Sequence, residues 1–215
     1  MTLASCDSRK TAGENPFFTE WDTPHGVPPF DKILPEHFMP AFERGMSLHE
    51  AEIDAITSNK DEATFENTIL AYDNAGQMLA QTELVFGMLC AAETNDRMQA
   101  LQEQAMPLLA AHRDKIRLDD KLFVRVKEVY DRRAALGLDA EQMRLLQKTY
   151  DSFVRAGALL GAEQKARLKE INGQLSLTAV KFGNNILAEN NNFVLELKSD
   201  ELDGLPAGIR DAARE

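Results

Sequence analysis

Beyond residue 34 the apolar residues of this chain recur at alternating steps of three and four, the spacing of one helix face. Phe38, Phe42, Met46, Ile53 and Ile56 form the first stripe, with His49 on the same side, and predict a helix from about Pro35 to Ser58. Pro35 suits its first turn, where a missing N–H is not needed, and Pro40 marks a kink or a late start. After the polar break Asn59-Lys60-Asp61-Glu62, Thr64 caps a second helix carrying Phe65, Ile69, Tyr72 and Leu79. Gly76 admits a close neighbour, and the helix runs on through Phe86 and Leu89. Asn95 or Asp96 caps a third, with Met98, Leu101, Ala105, Leu109, His112 and Ile116 on one face and a bend expected at Pro107. Asp119-Asp120 opens a fourth, with Leu122, Val126, Val129 and Leu136 inward and Gly137 as its stop.

Asp139 with Gln142 spells a capping box, and Met143, Leu146, Tyr150, Phe153, Gly157 and Leu160 follow on a fifth stripe that Gly161 breaks. A sixth carries Leu168, Ile171, Leu175, Thr178, Phe182 and Ile186 and ends in Glu189-Asn190-Asn191-Asn192. Phe193, Leu195 and Leu197 then alternate with Val194 and Glu196, which reads as a short strand. Leu202 to Pro206 is a turn, and Ile209 to Glu215 opens another helix with no stop signal. The expected fold is all-α: an antiparallel multi-helix bundle with long, partly kinked helices and at most one short strand near 193–197. The stripes are wide, which favours a globular bundle over a coiled coil.

The residues before this pattern differ. Asn15-Pro16-Phe17-Phe18, Trp21 and Val27-Pro28-Pro29-Phe30 combine prolines with aromatics. Such a segment cannot form regular helix or central strand, and its rings imply an extended stretch packed on a core. The expected division is a tether over 1–14, an extended Pro/aromatic segment over 15–34, and a helical domain over 35–215.

Composition narrows the function. Hydrophobic residues make up 44% of the chain, enough for a core, and the formal net charge is −11. An acidic chain lacks the basic stripe that nucleic acid or an anionic lipid surface requires, so no nucleic-acid partner is expected. Its two cysteines, Cys6 and Cys90, lie far apart and imply no disulfide framework; Cys90, in Leu89-Cys90-Ala91-Ala92, reads as a small apolar residue. Leu3-Ala4-Ser5-Cys6 resembles a bacterial lipobox, and a polar tether follows it. Lipidation at Cys6 would give a lipid anchor and an exported location, periplasmic or membrane-anchored; the alternative is cytoplasmic.

Reactive chemistry is sparse. A zinc peptidase of the HExxH type needs two histidines one helical turn apart, with the Glu between them to polarise water. The nearest approach is His49-Glu50-Ala51-Glu52-Ile53, where the second histidine is replaced by an apolar stripe residue. His49 therefore reads as structural or surface, His112 as a core or interface histidine, and His25 and His37 have no partner at metal spacing. There is no Gly-x-Ser-x-Gly elbow and no phosphate loop. No residue of this chain is expected to be catalytic or to bind metal.

Many ordered blocks nevertheless resemble one family. Asn15-Pro16-Phe17-Phe18, Pro29 to Ile33, Pro40 to Met46, Thr64 to Ile69, Ala75-Gly76, Ala92 to Asn95, Leu122 to Val126, Phe153 to Ala158 and Leu202 to Pro206 are similar, in this order, to the opening of peptidyl-dipeptidase Dcp proteins. That resemblance implies a zinc peptidase family that includes thimet oligopeptidase and oligopeptidase A, mostly helical, with a deep channel for short peptides. It implies release of C-terminal dipeptides, with Phe42 to Met46 and Phe86 to Leu89 favouring Dcp over oligopeptidase A. It places the zinc-binding HExxH and a further Glu ligand downstream, so zinc is expected only in the full-length enzyme. The implied partners are the chain's own C-terminal catalytic domain and short peptides, with these helices walling the channel. The alternatives are a stand-alone helical binding or scaffold domain and a fragment of an oligopeptidase A-like endopeptidase.

Overall fold

A computed structural model describes residues 15–198 and 201–212. Two compact units divide it, Met1–Val180 and Lys181–Glu215.

The first unit opens with 3-10 turns at Pro16–Phe18, Pro24–Gly26 and Pro35–His37, each begun by proline. This segment packs as its aromatics predict. Phe17 is buried with its ring 5.3 Å from that of Phe38, Trp21 donates its indole N–H to Pro16 O at 2.8 Å, and the Arg44 guanidinium lies over Phe18.

Helix α1 spans Phe38–Ser58, so Pro40 falls in its first turn and gives a late start, not a kink. The second expected helix is interrupted. Phe65–Leu70 is a π-helical turn capped by Thr64, α2 covers only Ala71–Asp73, and α3 begins afresh at Gln77–Ala92. The break is Gly76, at φ 75°, a left-handed conformation that ends any right-handed helix. Helix α4 (Asp96–Arg117) is capped by Asn95 and retains Pro107 in its interior. Helix α5 (Asp120–Asp131) is capped by Asp119 and stops before Leu136, giving way to a 3-10 turn at Arg133–Ala135. Helix α6 (Ala140–Arg155) begins at the expected Asp139–Gln142 capping box and ends earlier than expected, because Gly157 rather than Gly161 takes a left-handed φ of 97°. Helix α7 spans Ala162–Asn192.

Contacts at matching levels fix the directions. Gly45 meets Leu79 and Phe42 meets Phe86, so α1 and α3 run antiparallel; Phe123 stacks on Phe153 and Tyr130 on Tyr150, so α5 and α6 do too. His49 meets His112 and Glu36 meets Arg97, so α4 returns parallel to α1. The predicted stripes of α1, α3, α4, α5 and α6 face inward, and they divide between two hydrophobic clusters. One joins the start of α1 and of α4 to α3, around Phe38, Phe42, Phe86, Met98 and Leu109. The other joins their ends to α5 and α6, around Ile53, Ile69, Ile116, Val126 and Phe153.

Buried and half-buried cations tie the connections down. Arg125 donates to Asn59 O at 3.0 Å, Asp61 O at 3.1 Å and Asn67 Oδ1 at 3.1 Å, which fixes the link after α1. Arg132 adds bonds to Glu62 and Ala63 O, and Lys165 reaches Leu118 O and Asp120. These groups satisfy carbonyls that the short links would otherwise leave without partners.

In the second unit, α7 ends and an irregular stretch leads through a turn to α8 (Ala207–Ala212). The strand expected at 193–197 is not formed. Phe193, Val194, Leu195 and Leu197 are exposed, and among the described residues no strand offers the ladder partner that alternation alone cannot supply. The stripe read on α7 is also not buried: Ile171, Leu175, Phe182 and Ile186 are all exposed.

Candidate functional site

The most chemically distinctive place in the described residues is a polar seam between the two clusters. On α1, His49 sits between Met46, packed in the first cluster, and Ile53 in the second. On α4, His112 sits likewise between Leu109 and Ile116. Gly76 marks the level at which the chain passes from Ala75 in one cluster to Met78 in the other. Helical spacing put both histidines on buried stripes, and the stripes meet here.

The bonds across the seam are specific. His112 Nε2 and His49 Nδ1 are 3.1 Å apart, so one ring donates to the other. His112 is 5% exposed, and its Nδ1 has no hydrogen-bond partner. Glu50 Oε1 stands 3.5 Å from that nitrogen, too long for a hydrogen bond, and Glu50 Oε2 is held by Lys115 Nζ at 2.8 Å. Glu52 accepts the Gly76 N–H at 2.7 Å. The His49 ring lies against Gly76 so closely that a Cβ there would come within 2.8 Å of Nδ1.

Burial pushes both imidazoles below the ordinary histidine value. The His112 charge pushes His49 further down while Glu52 and Glu50 pull it back; Glu50 likewise opposes the shift at His112. The hydrogen bond from Lys115 lowers the Glu50 carboxyl. The seam therefore carries neutral rings beside an ion pair. An open groove of about 390 Å³ runs along it, lined in part by Glu43, Glu50, His112 and Lys115.

This arrangement does not fit a zinc site. Each histidine spends a ring nitrogen on the other, and Ile53, at the place of a second HExxH histidine, is 5% exposed in the core. Among the described residues no three His, Cys, Asp or Glu side chains gather as metal ligands. His25 and His37 lie apart from the seam; His37 accepts the Leu34 N–H at 3.1 Å through its Nδ1. Cys90 is half-buried beside the first cluster, and burial pushes its thiol up to about 11, which removes it as a nucleophile at neutral pH. Cys6 lies outside the described residues. Sequence reading placed both histidines but missed that they pair, because a contact between residues 63 apart leaves no mark in local spacing.

No family model matches this sequence. The dipeptidyl carboxypeptidase of Escherichia coli (strain K12) is 41% identical to it over 176 residues, 82% of this chain and 26% of that protein. The chain is a homologue of dipeptidyl carboxypeptidase. The dipeptidyl carboxypeptidase of Salmonella typhimurium (strain LT2) is 38% identical over 174 residues, 81% of this chain and 26% of the relative. Oligopeptidase A of Escherichia coli (strain K12) follows at 24% over 193 residues, 89% of this chain and 28% of the relative. The higher identity to dipeptidyl carboxypeptidase agrees with the blocks at Phe42 to Met46 and Phe86 to Leu89. The chain spans about a quarter of the length of the dipeptidyl carboxypeptidases it matches.

Proposed function

We propose that this chain is the N-terminal helical region of a zinc peptidase that releases C-terminal dipeptides from short peptides. Its identity of 41% to a dipeptidyl carboxypeptidase, over 82% of its own residues, carries the reading. These helices then wall a peptide channel and exclude folded substrates, a role that needs rigid packing rather than reactive groups. Zinc, which would polarise the attacking water, is then expected on residues elsewhere in the parent protein; His49 and His112 are committed to one another.

The partner of this region is the remainder of its own polypeptide. Exposed Ile171 and Leu175 in the first unit support that role, and within the second unit so do exposed Phe182, Ile186, Phe193 and Leu195, because large exposed apolar side chains mark contact sites. A lipid on Cys6 would hold the enzyme at a membrane in an exported compartment. Replacing Cys6 by Ser is expected to move the full-length protein from the membrane fraction to the soluble one, and an unchanged distribution refutes the anchor.

The decisive experiment compares this chain with the full-length gene product on an N-blocked tripeptide in the presence of zinc. The full-length protein is expected to release the C-terminal dipeptide and to stop when a chelator is added, while this chain releases nothing. Chelator-sensitive turnover by this chain alone would refute the assignment, as would internal cleavage without dipeptide release by the full-length protein.

A further inference from the structure

The seam joins three passages of the chain at one level: α1 at His49, the turn between α2 and α3 at Gly76, and α4 at His112. Above and below it the packing is apolar. Across it, the links are the His49–His112 bond, the Glu52–Gly76 bond and the Glu50–Lys115 pair with its carboxylate facing His112.

We propose that this seam is a proton-operated joint, in which neutral His49 and His112 lock the two hydrophobic cores together and proton uptake in mildly acid solution parts α1 from α4 and frees the Gly76 turn. A bond between two ring nitrogens needs one N–H and one lone pair. Two neutral rings supply these. Two imidazolium rings carry N–H on every nitrogen, so the bond is lost and like charges face each other across 3.1 Å.

The surroundings offset that repulsion only in part. The charged groups facing the pair are Glu50 and Glu52 from α1, Glu83 from α3 and Lys115 from α4. Glu50 can meet charge on His112 through Oε1 while Lys115 holds Oε2, and Glu52 favours charge on His49 while it accepts the Gly76 N–H, yet burial outweighs both carboxylates and each ring stays below the ordinary histidine value. His49 moreover lies against the Gly76 turn, in the space that a Cβ there would take.

The sign of the linkage follows. Both histidines are pushed below 6.5 in the fold, so just below pH 6.5 the open chain binds more protons than the closed one. The closed state is thus fully favoured above that value and loses ground as pH falls through it. Glu50, lowered from 4.5, contributes in a separate window: its stabilisation holds above that value and declines only below it.

The test is a titration of the 215-residue chain from about pH 7.5 to about pH 5, following imidazole nitrogen shifts by NMR and amide hydrogen exchange corrected for intrinsic rate. His49 and His112 are expected to titrate below 6.5, and exchange is expected to rise severalfold together at 45–53, 74–79 and 109–116 while 122–129 changes less. His49→Gln and His112→Gln are each expected to abolish that pH-dependent rise. Ring midpoints at or above 6.5, a uniform rise across the chain, or a rise that persists in both variants would each overturn the joint. Should either variant fail to fold, the ring midpoints and the segment pattern of the unaltered chain decide.

Discussion

At the scale of single residues, Gly76 shows how a sequence signal can be right in kind and silent about its partner. A glycine inside an apolar stripe marks close approach or a left-handed turn, and here it is both: φ is 75° and the His49 ring fills the space a Cβ would need. Gly76→Ala is expected to destabilise the chain by about 2 kcal/mol or more, the sum of left-handed backbone strain and a displaced ring. Gly87 makes the matched control. It lies mid-helix in α3 with nothing near its missing Cβ, so Gly87→Ala is expected to stabilise by about 0.5–1 kcal/mol. Urea unfolding of the two variants reads both signs, and equal effects would show that local geometry at Gly76 is unimportant. Arg125 is the opposite case. It occurs among the apolar residues of the Leu122 to Val126 block, and only the folded chain reveals that its guanidinium ties two carbonyls of the link after α1 and the Asn67 side chain.

At the scale of elements, helix starts were legible and helix ends less so. Thr64, Asn95, Asp119 and Asp139 each cap an element where the sequence offered a cap, although Thr64 caps only the Phe65–Leu70 turn of its expected longer helix and Asn95 was one of two candidates, because a cap is one side chain bonding to an amide two or three residues on. Stops depend on which of several glycines turns left-handed, and at α6 the choice fell on Gly157, four residues before the glycine that spacing favoured. The α6 cap yields a clean test. Asp139 accepts the Gln142 N–H at 2.8 Å while Gln142 returns a bond to the Asp139 N–H. Asp139→Ala is expected to lower stability by about 1 kcal/mol in denaturant unfolding, with the slope unchanged because the buried area stays the same. The strand at 193–197 failed for a reason beyond local reach: period-two alternation describes a face, but a strand exists only beside another. The candidate seam was half legible in the same way, since periodicity buried His112 and placed His49 on its stripe without revealing that α4 returns parallel to α1 and pairs them.

At the scale of the molecule, the balance between charge and exposed apolar surface sets how the chain behaves in isolation. Its net charge of −11 repels copies of itself, while Phe182 at 66% exposure and Ile186 at 47%, one turn apart on α7, favour association. The two effects respond differently to salt. Screening shortens the reach of the repulsion to roughly 8 Å at physiological ionic strength and leaves apolar attraction intact. With this face uncovered, the chain is therefore expected to be monomeric at low salt and to self-associate as salt is raised. The pair Phe182→Gln and Ile186→Gln keeps the charge and the helix propensity, so it is expected to abolish association in sedimentation velocity while leaving the melting temperature unchanged. A melting temperature that fell with the substitutions would mean that these side chains are buried in the fold rather than held outside it. An unaltered chain that stayed monomeric at high salt would remove the face from consideration as a contact surface. The first outcome would move this part of α7 into the core; the second would leave its exposed apolar residues without a role in association.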